Sequence, residues 1–122
     1  MELIDIIKEV TQIPLKFKNE DNDKSVFDLL KLTQYFKNYN KILENDIVLI
    51  IKKRPSLVDD WLFWSENKRA IDGWYFLKNS IDMYEVGKIN QDNSKEEYMQ
   101  FYDGCIACSI FIKKEIETIR NN

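Results

Sequence analysis

The sequence has 122 residues, 44% apolar and 13% aromatic, which suits one domain over residues 1–122 with a packed core and no need of a disulfide or metal staple. Charged residues make up 32% and the net charge is −3, so free nucleic acid and anionic membrane are poor partners. Histidine is absent, which removes the usual general base, proton shuttle and zinc ligand, and with them any Ser–His–Asp or Cys–His site.

Leu3, Ile6, Ile7 and Val10 recur at helical spacing over residues 2–12, and Pro14 is expected to end that helix at or before Ile13. Lys18 to Lys24 reads as a polar loop. Ser25, with Asp28 three residues on, opens a second helix whose stripe of Val26, Leu29, Leu30 and Phe36 runs to about Tyr39. Asn40 is the expected cap of a third, with Ile42, Leu43, Ile47, Ile50 and Ile51 on one face. Lys52, Lys53 and Arg54 suit its C-terminal end and Pro55 stops it. The run Ile47–Ile51 is also compatible with a buried strand, but periodicity that begins upstream of it favours helix. Ser56 is expected to cap a fourth helix with Leu57, Trp61, Leu62 and Trp64 inside. That helix frays between Ser65 and Arg69, ahead of a turn at Asp72-Gly73.

Trp74-Tyr75-Phe76-Leu77 and Met83-Tyr84-Glu85-Val86 are aromatic and β-compatible, and Lys78-Asn79-Ser80 fits a tight connection between them. Ser94-Lys95-Glu96-Glu97 matches a capping box. It is expected to open the strongest helix, with Tyr98, Phe101, Tyr102, Cys105, Cys108, Phe111, Ile112, Ile116 and Ile119 on one face as far as about Arg120. Gly104 is its weak point, at roughly 1 kcal/mol against alanine. The expected fold is mainly α within the α+β class: about five helices packed around a long C-terminal helix, with one small β-hairpin near residues 74–87.

Little in the chain carries chemistry. Cys105-Ile106-Ala107-Cys108 supplies two of the four ligands a structural zinc needs, and a redox pair wants its first thiol at a helix N-terminus. Placed mid-helix, both cysteines are expected to be core thiols. Asp59-Asp60, Asp82 with Glu85, and Glu96-Glu97 are carboxylate pairs that read as solvated faces or caps, and three scattered glycines form no phosphate loop. No catalytic, cofactor or metal residues are assigned, and the chain is not expected to be an enzyme. The start Met1-Glu2-Leu3-Ile4-Asp5 lacks a signal-peptide pattern and the longest apolar run, Ile47–Ile51, is too short for a bilayer. With only two cysteines, the expected location is the cytoplasm.

The remaining signals concern binding. Trp61, Trp64, Trp74 and Tyr75 form the densest aromatic cluster; tryptophan and tyrosine are favoured interface anchors, though these four also suit the junction between the fourth helix and the hairpin. Residues 1–58 carry 10 basic and 9 acidic side chains, whereas residues 59–122 carry 8 and 12. The acidic half could steer a basic partner. Asp59, Asp60, Trp64, Glu66, Asp72, Asp82 and Glu85 are the candidate partner-binding residues.

From Arg54 onward the chain resembles small immunity proteins of bacterial toxin–immunity systems, of the polymorphic-toxin or contact-dependent-inhibition type. The resemblance lies in Trp61, Trp64 and Arg69, in Gly73-Trp74-Tyr75-Phe76, in Tyr84 and Val86, and in Phe101, Ala107-Cys108, Phe111-Ile112 and Glu115. It implies a cytoplasmic protein that neutralises a cognate toxin, often a nuclease with a basic cleft. The alternatives are a structural or regulatory adaptor that dimerises through the apolar face of its last helix and, third, a carboxylate-based enzyme.

Overall fold

The computed structural model describes residues 2–19, 25–68, 73–92 and 94–121. Helix α1 spans Leu3–Thr11 and buries Ile6, Ile7 and Val10, as their spacing requires. The first helix ends at Thr11, before Ile13 as expected, but no loop follows Pro14. That residue sits in the first turn of α2 (Ile13–Asn19), where its missing N–H would have had no intrahelical acceptor. Lys18 therefore belongs to a helix and not to a loop, and the rest of the expected loop, residues 20–24, lies outside the described residues.

Ser25 caps α3 (Val26–Leu32) through a reciprocal pair: Asp28 N–H donates to Ser25 Oγ at 3.1 Å and Ser25 N–H to Asp28 Oδ2 at 3.4 Å. The helix stops short of Tyr39 because Thr33 competes with it. The Thr33 hydroxyl donates to Leu30 O at 2.6 Å and accepts from Tyr35 N–H at 3.1 Å. Gln34 then turns left-handed (φ 69°) and a short α4 follows at Tyr35–Asn38. Asn40 lies in the 3₁₀ turn Tyr39–Lys41 and caps nothing. The start of α5 (Glu44–Lys53) is held by Leu43 N–H donating to Asp46 Oδ2 at 2.9 Å. Residues 47–51 are helical, with Ile47, Ile50 and Ile51 inward. Ser56 is the first residue of α6 (Ser56–Asn67), with Pro55 at the cap position.

The hairpin is present but belongs to a three-stranded antiparallel sheet in the order β1-β2-β3, formed by Gly73–Ser80, Met83–Ile89 and Lys95–Phe101. Its first turn falls at Ile81-Asp82, not at Lys78-Asn79-Ser80. The capping-box reading of Ser94 is overturned. Ser94 closes the β2–β3 turn instead, donating its N–H to Asp92 Oδ1 at 2.9 Å and accepting from Asn90 N–H on its carbonyl at 2.9 Å. Tyr98 and Phe101 lie on β3 and Tyr102 in the bend after it. The last helix, α7, spans Gly104–Arg120 and is capped by Asp103, whose Oδ1 accepts from the N–H groups of Cys105 and Ile106 at 2.8 and 3.2 Å. Seven helices and three strands thus stand among the described residues.

One core joins the helical part to one face of the sheet. It takes Ile6 and Val10 from α1, Ile47 and Ile51 from α5, and Leu57 and Trp61 from α6, closed by Phe76, Val86 and Phe111. Phe76 stacks on Phe111 at 5.6 Å, Trp61 meets Phe111 edge-on at 6.1 Å, and Trp61 Nε1–H donates to Thr11 O at 2.9 Å. Helix α7 is the central column: Ala107, Cys108, Phe111, Ile112 and Ile116 are all fully buried. No helix among the described residues is long and apolar enough to cross a membrane.

Candidate functional site

Strand alternation sorts the sheet's side chains onto two faces. Trp74, Phe76, Tyr84 and Val86 face the helices. Tyr75, Glu85 and Gly87 face the other way, and the register brings Tyr98 beside Gly87 and Gln100 beside Glu85. Tyr75 lies across Gly87, where a side chain of any size would collide with its ring. The outer face therefore carries a tyrosine from each flanking strand, with bare backbone between them.

Glu85 is the centre of this face and is only 3% exposed. Its carboxylate accepts hydrogen bonds from the Tyr75 hydroxyl, from Asn79 Nδ2 and Lys95 Nζ (each at 3.0 Å), and from Gln100 Nε2 at 3.4 Å. Burial pushes the carboxyl's pKa up. The bonds from Tyr75, Asn79, Lys95 and Gln100 outweigh it and bring the pKa down to about 2. Burial and the same carboxylate push the Tyr75 hydroxyl well above its ordinary value, so it remains a donor. Lys95 Nζ also lies 4.9 Å from the centre of the Tyr98 ring, which is 56% exposed.

The candidate residues fall into separate groups. Asp59, Asp60, Trp64 and Glu66 lie on α6. Asp59 and Glu66 are exposed, and Asp60 is half-buried. Its carboxyl is raised chiefly by burial and further by Asp59, with Arg54 opposing. Trp64 is half-buried and turned inward. Its Nε1–H donates to Glu115 Oε2 at 3.0 Å, and Lys68 Nζ reaches the same carboxylate at 3.1 Å. Asp82 is exposed in the β1–β2 turn, and Glu85 is the buried centre just described. Asp72 lies outside the described residues, as does Arg69. Of the aromatic cluster, Trp61 and Trp74 are core and Tyr75 belongs to the opposite face of the sheet.

Asn79, Lys95, Tyr98 and Gln100 complete the outer face and are absent from the candidates. The helix that the sequence predicts over residues 95–101 would scatter them. The alternation of Tyr98 and Gln100 against Glu97, Met99 and Phe101 is the signal for the last two, while Lys95 joins them only because the register shifts between Lys88 and Ile89.

Cys105 is not mid-helix. It sits in the first turn of α7, directly after β3, the placement a redox pair would want. Its surroundings oppose that chemistry: burial and then the Asp103 carboxylate push the Cys105 thiol up, and burial pushes Cys108 well up. Both cysteines are free thiols. Among the described residues no three acidic or cysteine side chains gather as metal ligands. An open groove of about 400 Å³ runs along α7 between Glu44, Trp74 and Glu117. Its lysines are committed: Lys113 Nζ donates to the Tyr35 hydroxyl and Tyr39 O, each at 2.8 Å, and Lys114 lies over the Trp74 ring.

No protein-family model, curated protein or solved structure matches the chain.

Proposed function

We propose that this chain is a binding protein that neutralises a cognate bacterial toxin domain by covering its active site or substrate cleft. One observation carries the reading: the helix-free face of the sheet, where Tyr75, Lys95 and Gln100 are bonded to the buried Glu85 ion and Lys95 in turn lies over the exposed Tyr98 ring. A surface ordered before the encounter spends little side-chain entropy on binding, and an exposed tyrosine such as Tyr98 is a strong anchor, while Tyr75, only 8% exposed, forms the floor beside it. The resemblance of the C-terminal half to immunity proteins, and its excess of acidic over basic side chains, point to a basic toxin, of which a nuclease domain is the leading case. Asp82 at the turn, and Asp59, Asp60 and Glu66 on α6, are the carboxylates such a partner would meet; Glu85 acts from beneath, as a support. The inhibitor works in the cytoplasm, where the toxin arrives.

An enzyme reading gains little from the carboxylates, since Glu85 is bound as a structural ion, Glu117 in the groove along α7 is tied to the Tyr35 hydroxyl and Arg120, and Asp59 and Glu66 lie open to solvent. A homodimer formed through the apolar face of α7 is not proposed, because that face is already buried in the chain's own core. Co-expression with the domain encoded directly upstream of this gene tests the proposal. Protection of the host and a co-purifying complex are expected. Neither protection nor a complex would end it.

A further inference from the structure

The two edges of the sheet differ. On β1, the Phe76 N–H points outward and donates to Ser65 Oγ of α6 at 2.7 Å, so that edge is covered. On β3, among the described residues, no hydrogen bond from outside the sheet reaches the backbone of Lys95–Phe101. The outward Phe76 N–H also sets the phase of the ladder. Phe76 opposes Val86 as a non-hydrogen-bonded pair, so Val86 turns its backbone groups toward β3 and bonds with Met99. Alternation then leaves the N–H and C=O groups of Tyr98 and Gln100 facing the open edge.

We infer that this edge takes up an extended, basic segment of the bound protein, which joins the sheet as a fourth, antiparallel strand. The inference rests on the binding reading above and adds the mode of contact: main-chain bonds give the pairing, and charge selects the occupant. Glu96 and Glu97 are exposed along the strand, Glu96 beside Lys88 of β2 at 3.3 Å and Glu97 with no ion pair among the described residues, and Asp92 and Asp103 are exposed at its two ends. Lys95, the one cation on the strand, is turned back onto Glu85 at 3.0 Å and onto the Tyr98 ring. A second copy of the chain, paired antiparallel, would set Asp92 of one beside Asp103 of the other and bring four glutamates into one ladder. Charges on an edge strand oppose such self-pairing. Lysines or arginines at neighbouring positions of an incoming strand would meet Glu97 and Glu96, converting repulsion into cross-strand ion pairs.

The test uses the full chain and the domain encoded directly upstream. Amide hydrogen exchange is read with and without that domain, and affinity is measured for wild type, Gln100→Pro, Gln100→Ala and Glu97→Lys. Gln100→Pro removes one outward N–H at an edge position where proline is tolerated; Gln100→Ala, which loses the same contact to Glu85 but keeps the N–H, is its control, and circular dichroism checks the fold of both. Glu97→Lys reverses one charge without touching the ladder. Binding is expected to slow exchange at Tyr98 and Gln100 by at least about tenfold, and Gln100→Pro (against its Gln100→Ala control) and Glu97→Lys each to weaken affinity by about tenfold. If wild type binds while those amides are unchanged and Gln100→Pro and Glu97→Lys bind equally well, the edge is not the site, although the binding reading stands. If wild type does not bind at all, both fall. Slow exchange at Tyr98 and Gln100 in the isolated chain, together with a sedimenting dimer, would assign the edge to a second copy and overturn the inference.

Discussion

Glu85 is an ion taken out of water and then ringed with donors. Removing a donor leaves the Glu85 ion buried with fewer partners, and removing Glu85 leaves the buried Tyr75 hydroxyl without its acceptor, whereas Asn79, Lys95 and Gln100 are exposed and can turn to water. The same environment makes stability depend on pH. Unfolded, the carboxyl titrates near its ordinary 4.5; folded, it titrates at about 2. A carboxyl with a depressed folded pKa contributes its stability above the unfolded value and loses it as pH falls through the folded one. On the order of 3 kcal/mol should therefore disappear between about pH 5 and pH 2, less whatever solvent screens from the half-exposed Lys95. Urea unfolding across that range should show a steep acid-side decline in wild type and a shallower one in Glu85→Gln. Equal slopes would mean that Glu85 is not the group responsible.

At the level of elements, what was legible is what local chemistry decides alone. The spacing of Ile6, Ile7 and Val10, the Ser25–Asp28 cap and the aromatic run Trp74 to Phe76 all lie where periodicity and capping place them. Two of the departures share a cause: neighbouring groups competed for one segment. Thr33 bonded its own backbone and broke a helix. Ser94 met Asp92 and made a turn, so β2 could claim residues 95–101 as a strand. That error also hid half of the candidate surface, because Lys95 and Gln100 meet Glu85, and Tyr98 meets Gly87, only across strands. Gly104 shows the difference most directly. As a mid-helix glycine it would favour replacement by alanine, worth roughly 1 kcal/mol of stability. As the first residue of α7 it lies under Tyr84, whose ring would stand 2.7 Å from a new Cβ. That ring is stacked on Phe76 at 6.0 Å and topped by Lys78, so it has little room to retreat. Gly104→Ala is therefore expected to destabilise by about 1–3 kcal/mol. A rise in melting temperature would show that Tyr84 moves freely.

Across the whole molecule, the helical part and the inner face of the sheet share one core rather than facing each other across an interface. Phe111 alone touches Trp61 of α6 and Phe76 of β1, while its neighbours on α7 pack beside α5. Separate unfolding of sheet and helices would expose the same buried faces from either side, so a single cooperative transition is expected. The two thiols give a way to measure it. Cys108 is fully buried on the inner face of α7, and Cys105 is partly exposed one turn earlier. Alkylation is expected to modify Cys105 in the native protein. It should proceed more slowly than for a free thiol at the same pH, because burial and Asp103 disfavour the thiolate. Cys108 should react only as denaturant unfolds the chain, with a midpoint that matches the far-ultraviolet dichroism of the helices and the fluorescence of Trp61 and Trp74. Labelling of Cys108 well before that midpoint would reveal that α7 detaches from the sheet while the other helices stay folded.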